Sequence, residues 1–371
     1  MVFDLSRFSG CEDFPKGIKG PSHGTRANGI ASGLSAESNR PVYARMIPND
    51  ELRACDNLSS PGFPSRLVSD DGRALGLGPM IVRQTAVGVE VLAPAKLNLF
   101  LEIHGRRADG YHDLESLMVT VDLYDTLTFV DDPSGRITLR CDDATLPTGD
   151  DNLVVRAAKA VKVAVGSDRG VSIELKKAIP AQAGLAGGSS DAAATLTALD
   201  LLWDLRMPSG QLDALAGSIG SDVAFFRHGP SAVCRGRGEQ VEPRPIPRSL
   251  AFVLVCPPFG VSTADVYRQL TPPERPRPIG PFLEALADGD TRIIGASLFN
   301  RLQPIAETLC PALNEVRDAL ASVGSDLDGH LMSGSGSAYF GLARDHAAAR
   351  SAADRLAGLG PGKVRVVTSC P

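Results

Sequence analysis

Four short segments of the chain combine residue types that can hold an anion or move a proton. The first is Pro180-Ala181-Gln182-Ala183-Gly184-Leu185-Ala186-Gly187-Gly188-Ser189-Ser190, which follows an alternating apolar stretch and opens an Ala/Leu-rich run. Glycines let the backbone come close to a phosphate and turn several N–H groups toward it. A helix starting there adds unpaired amides and the positive end of its dipole. Ser189 and Ser190 could add hydroxyl contacts to a phosphate or its magnesium ion. No lysine follows the glycines, which excludes the GxxxxGK[ST] loop, and their GxxGG spacing excludes a dinucleotide fingerprint. Taken alone, the segment reads equally well as a tight strand-to-helix turn.

The second segment is Ala93-Pro94-Ala95-Lys96-Leu97-Asn98-Leu99. On a strand, Lys96 and Asn98 share one face and Leu97 and Leu99 the other. The polar pair is either solvent-exposed or lines a site. The third, Gly220-Ser221-Asp222-Val223, sets a carboxylate between a glycine turn and an apolar run, where an aspartate often only caps a helix. Phosphoryl transfer to an alcohol needs such a carboxylate to orient or deprotonate the hydroxyl, and cations to hold the moving charge. Lys96 and Asp222 could supply both if the fold joins them, and a nearby lysine would keep the aspartate ionised. The fourth, Ser333-Gly334-Ser335-Gly336-Ser337, reads as a hairpin turn or a second backbone cradle.

The elements that must position these residues form a mixed α+β pattern. Strands are predicted at 89–103, 114–130, 137–141, 171–175, 251–256, 330–332, 337–343 and 364–367. Helices are predicted at 153–165 behind Asp150 and Asp151 as caps, at 189–205, and from a Ser209 cap to 218. Further helices are predicted at 264–270, 281–287, 311–323 and 346–359. Residues 1–87 are rich in Gly, Ser, Pro and Asn with poor periodicity. They read as a disordered extension, or as sequence ahead of a true start at Met80. A Pro/Arg-rich stretch suggests a division into domains 88–246 and 247–371.

The 371 residues carry a net charge of -5 with both signs intermixed, so no basic face points to nucleic acid. Seven scattered cysteines lack any CxxC pair, and the six histidines are dispersed, which argues for reduced thiols and against a zinc site. No apolar run is long enough for a membrane span, and the first residues lack a signal peptide's pattern. The expectation is a cytoplasmic protein with a small-molecule partner; no feature sets an oligomeric state.

In their order along the chain, the four segments resemble those of the GHMP kinases. The run from Ala95 to Leu101, joined to Gly105-Arg106-Arg107-Ala108-Asp109-Gly110-Tyr111-His112, resembles the branch whose acceptor is a cytidyl sugar alcohol. The resemblance implies two domains, one like a ribosomal-protein fold with a left-handed βαβ crossover, the other ferredoxin-like. It implies ATP- and Mg2+-dependent phosphorylation of the 2-hydroxyl of 4-diphosphocytidyl-2-C-methyl-D-erythritol, a step toward isoprenoid precursors. It implies Asp222 as catalytic carboxylate, Lys96 as charge-stabilising cation and Pro180 through Ser190 as the ATP loop. Asn98 would line the site, Tyr111 and His112 would hold the cytosine, and Tyr267 would close its other face. It names no protein ligand for a metal. Gln182, Ala183 and Ala186 stand where many members carry glycine. A homoserine- or mevalonate-type kinase and a non-catalytic nucleotide binder are the competing readings.

Overall fold

The computed structural model describes residues 79–370, so the extension expected over 1–78 lies outside the described residues. The last part of that expected extension is not coil. Strand β1 (Ile81–Thr85) turns back through Ala86 and Val87 to pair with the next strand, β2 (Gly88–Arg106). Met80 and Val82 enter the core while Ile81 and Arg83 are only half-buried, a period of two that ends at the exposed Gln84 and is too short to stand out beside a coil-like composition. Gly88 is required at this turn, because a Cβ there would sit 1.9 Å from the Phe129 carbonyl oxygen.

β2 and β3 (His112–Asp132) form one long antiparallel hairpin with bulges near Pro94, Asn98 and Ile103. The bulges bend the strands, so different stretches of β3 meet different neighbours. Next come β4 (Ile137–Cys141), α1 (Leu153–Val165) and β5 (Gly170–Lys176), with β4 parallel to β5 across the α1 crossover. Asn152, not Asp150 or Asp151, caps α1: its side-chain oxygen accepts from the Val154 N–H at 2.9 Å. Gly166, at φ 62°, ends the helix. Val154, Val155 and Val161 are buried, each contributing about 1.5–3 kcal/mol. Helix α2 (Gly187–Leu202) packs between α1 and the sheet with small residues buried nearly all round, as a central helix must be.

The chain continues with α3 (Ser209–Ile219), the single turn α4 (Phe225–His228), and the hairpin β6 (Ser231–Gly236) and β7 (Gln240–Pro243). Ser209 does not cap α3: Pro208 occupies that position and no side chain bonds there. β6 pairs with the first half of β3 and β5 with the second half. The first sheet therefore runs β1-β2-β3-β5-β4, with β6 and β7 branching from β3.

The second sheet holds β8 (Ala251–Cys256), and five helices follow it. They are α5 (Thr263–Gln269), α6 (Gly280–Asp288), α7 (Thr291–Ser297), α8 (Gln303–Leu309) and α9 (Ala312–Ser322), with the two-residue β9 (Phe299–Asn300) between α7 and α8. Then come β10 (Leu327–Met332), β11 (Tyr339–Ala343), α10 (His346–Leu359) and β12 (Lys363–Thr368). The antiparallel order β10-β11-β8-β12 is that of a ferredoxin-like sheet. β8 is buried on both faces. Phe252 and Leu254 pack toward Leu97, Leu99, Leu117 and Val119 of the first sheet, while Val253 and Val255 face the helices. β9 leaves the second half of the chain to pair parallel with β2 at Phe100 and Leu101.

Candidate active site

Alternation along β2 sends Leu97 and Leu99 into the core between the sheets and leaves Lys96 and Asn98 on the opposite face. They are not on the surface: Lys96 is 3% exposed and Asn98 2%. The Lys96 ammonium donates to the Gly184 carbonyl at 2.7 Å and to the Asn98 side-chain oxygen, and lies 4.0 Å from Asp222 Oδ2. Asn98 is held by its other end, Nδ2 donating to Ser116 Oγ at 2.8 Å and Ser116 in turn to the Phe100 carbonyl at 2.6 Å. Burial pulls the lysine's pKa below its ordinary value, and Asp222 pulls it back. Taking an ammonium out of water costs several kcal/mol. At 4.0 Å and an effective dielectric of about 20, the aspartate returns about 4 kcal/mol. The two are of the same order, so the lysine's charge depends on its carboxylate partner.

The glycine loop is clamped from three sides. The Lys96 N–H donates to the Leu185 carbonyl at 3.1 Å, and the Ala338 N–H to the Ala183 carbonyl at 3.1 Å. Ser333 Oγ donates to the Gly184 carbonyl at 3.0 Å. Gly184 has φ 75°, and a Cβ on it would lie 2.0 Å from the Ser333 carbonyl oxygen. Gln182 and Ala186 also have positive φ, at 52° and 54°. Ala183 does not, so of the three residues standing in place of glycine only Gln182 and Ala186 are strained. No side chain caps α2. Its first-turn amides, including those of Gly187, Gly188 and Ser189, have no acceptor within the helix.

Asp222 lies on the turn after α3, its side chain 28% exposed toward the cleft. The β6–β7 turn backs it, with a Cβ on Gly238 only 3.6 Å from Asp222 Oδ1. The cleft spans about 1070 Å³. Of the candidate catalytic, ATP-loop and substrate residues, all but Leu185 and Ser190 line it, and of the fourth segment Gly334 and Ser335 do. Leu185 turns instead into the core between the sheets, because the loop's carbonyls are tied to β2 behind it. Ser190 is fully buried one residue further into α2, and among the described residues its Oγ has no partner.

At the far end of the cleft, the rings of His112 and Tyr267 meet at 5.3 Å between centroids. Tyr111 does not pair with Tyr267. It is 54% exposed, with the Arg237 guanidinium 5.0 Å over its ring. Burial, then the charge of Arg106, lowers the His112 pKa and keeps the imidazole neutral at pH 7. Burial raises the Tyr267 pKa, so that phenol stays protonated.

Sequence reasoning missed a buried cluster at the root of the loop. Asp125 accepts the N–H groups of Ala178 and Ile179 at 2.6 and 2.9 Å and also takes the Lys177 ammonium. Lys177 reaches Asp191 Oδ2 at 2.8 Å as well. Two buried carboxylates share one cation, and burial pushes the Asp191 pKa up to about 7. Asn300 was missed too: its Nδ2 donates to the Met332 and Gly334 carbonyls at 2.8 and 2.7 Å, fixing the turn beside Lys96. The only signal for the cluster was an aspartate just after the serines, and its partners are remote in the chain. Among the described residues, no three His, Cys, Asp or Glu side chains converge as a metal site, and no helix is long and apolar enough to cross a membrane.

Comparison with known proteins agrees with this geometry. Residues 152–230 match the GHMP kinases N terminal domain, and residues 282–362 match the GHMP kinases C terminal family. The chain is 44% identical over 270 residues to a 4-diphosphocytidyl-2-C-methyl-D-erythritol kinase of Pelotomaculum thermopropionicum, covering 72% of this chain and 93% of the relative. It is 40% identical over 298 residues to the same-named protein of Heliobacterium modesticaldum, covering 75% and 94%. A crystal structure of 4-(cytidine 5'-diphospho)-2C-methyl-D-erythritol kinase superposes with a TM-score of 0.65 at 40% identity, covering 76% of this chain and 99% of the other. A homoserine kinase of Cytophaga hutchinsonii superposes with a TM-score of 0.62 at 23% identity, covering 77% and 96%, a likeness of fold alone.

Proposed function

The chain belongs to the 4-diphosphocytidyl-2-C-methyl-D-erythritol kinase family of GHMP kinases, and we infer from that membership that it moves the ATP γ-phosphate onto the substrate's 2-hydroxyl. Asp222 orients that hydroxyl and takes its proton as the oxygen–phosphorus bond forms and the bond to the ADP oxygen breaks. Lys96, 4.0 Å from Asp222, offsets charge on the transferring group. The loop from Pro180 to Ser190 and the amides of α2 hold the ATP phosphates, while His112 and Tyr267 take the cytosine, with Tyr111 beside them. The cradle fits a triphosphate: the loop opens onto the cleft at the start of α2, whose first-turn amides take no side-chain cap among the described residues. Bound magnesium would neutralise phosphate charge there. The Ser189 hydroxyl, which lines the cleft, would be available to hold that ion. We take residues 79–246 and 247–371 as the two domains, the first beginning ahead of the expected residue 88 because β1 pairs with β2. Among the described residues, Cys141, Cys234, Cys256, Cys310 and Cys370 form no disulfide, which supports a cytoplasmic location.

The observation that most supports this reading is the convergence of three distant segments on one ammonium: Lys96, the Gly184 carbonyl at 2.7 Å and Asp222 at 4.0 Å. The test is a phosphotransfer assay with ATP against the cytidyl substrate, mevalonate and homoserine. Only the first is expected to turn over. Asp222→Asn is expected to keep ATP binding and to lower turnover by about 10²–10⁴. Turnover near the wild-type rate in that variant would remove Asp222 from the mechanism.

A further inference from the structure

We propose that Arg237 is the anchor for the substrate's diphosphate, the group that separates the cytosine from the reacting alcohol. This rests on the substrate assigned above. Three cations lining the cleft are already engaged: Lys96 with Gly184 and Asn98, Lys177 with Asp125 and Asp191, and Arg268 with Asp265. Arg237 is not. Its nearest carboxylate oxygen, on Glu239, is 4.0 Å away, and among the described residues its guanidinium makes no hydrogen bond. A planar fork of unspent donors is the group best matched to phosphate oxygens.

Its position is fixed at both ends of the cleft. The guanidinium lies 5.0 Å over the Tyr111 ring, at the end where the base is held. The backbone on its other side lies next to the reacting carboxylate, a Cβ on Gly238 coming within 3.6 Å of Asp222 Oδ1. Gly238, at φ 117°, packs against Ser221 and Asp222, and the Arg237 N–H donates to Glu239 Oε2 at 2.6 Å. A diphosphate joining the base to an alcohol at Asp222 must therefore pass Arg237. It also needs a cation there. The substrate brings its own negative charges close to Asp222 and to the ATP phosphates, and like charges repel strongly in a partly desolvated cleft. Arg106 also lines the cleft, but it stands beside His112 at the base end.

The experiment is titration calorimetry of the full chain with CDP and with cytidine, for wild type, Arg237→Gln, Arg237→Lys and Tyr111→Leu. Thermal melting serves as the folding control. Arg237→Gln is expected to weaken CDP binding by about 10- to 100-fold, the scale of a charge-assisted hydrogen-bond pair, and to leave cytidine within about twofold. Arg237→Lys should recover part of the CDP affinity, and Tyr111→Leu should weaken both ligands. If Arg237→Gln weakens cytidine as much as CDP, the arginine only braces the tyrosine ring and the proposal is wrong. Unchanged CDP binding would overturn it equally. Wild type binding neither ligand would refute the substrate itself, an outcome separate from the loss of Arg237 alone.

Discussion

Replacing Gln182 by glycine should make the protein more stable, although glycine usually does the reverse. At φ 52° the glutamine sits in the left-handed region, which costs an L-residue about 1–2 kcal/mol. Glycine removes that cost but adds about 0.5–1 kcal/mol of unfolded-chain entropy. The Gln182 side chain is exposed, so little burial is lost. The net is a gain of about 0.5–1 kcal/mol. Ala186, at φ 54°, has the same two terms, but its partly buried methyl offsets up to about 0.8 kcal/mol, so Ala186→Gly should come out near zero. Ala183 has no strain to release and a buried methyl to lose, so Ala183→Gly should cost about 1–2 kcal/mol. At about 2–4 °C per kcal/mol, calorimetric melting should rise by about 1–4 °C, stay level, and fall by about 2–8 °C respectively. If Gln182→Gly melts as low as Ala183→Gly, the loop does not carry the strain described.

Two further perturbations test the surroundings of the loop. Gly184→Ala adds a Cβ 2.0 Å from the Ser333 carbonyl oxygen at φ 75°. It should cost about 2–5 kcal/mol in urea unfolding and lower turnover as well, since the Gly184 carbonyl holds Lys96; stability within about 0.5 kcal/mol of wild type would contradict the clamp. Asp191 has a folded pKa of about 7 against an ordinary 3.8, so between those values the folded chain keeps a proton that the unfolded chain releases. Its contribution to stability is therefore full below about pH 4 and is lost as pH rises through about 7. Asp191→Asn should make the curve of unfolding free energy against pH less downward-sloping across that window, and an identical slope in both proteins would dismiss the buried cluster as its source.

The elements that were legible are those whose own residues decide them. β4, α1, β8 and α10 fall where periodicity and breakers place them, because each carries a complete apolar face between turn residues. β1 was hidden by its neighbours' composition, and the β6–β7 hairpin by its arginines and glycines. The cap of α1 was misplaced because Asp150, Asp151 and Asn152 are all able to cap; only Asn152 directly precedes the first helical residue, so its side-chain oxygen reaches the free N–H two residues on.

The site divides in the same way. That Lys96 and Asn98 share a face follows from strand geometry alone, and the structure puts both against the cleft. What no spacing could reveal is how that lysine is kept usable. Its burial depends on a carbonyl 88 residues away, and the turn beside it is pinned by Asn300, whose partners lie 32 and 34 residues further on. Without Asp222, the main group that offsets the burial pulling this lysine's pKa down would be gone. On the function proposed above, the carboxylate therefore has two roles that cannot be separated: it faces the alcohol, and it favours the charged form of the lysine. Removing it should disable both groups at once, so losses at Lys96 and Asp222 should combine to much less than the sum of their separate effects.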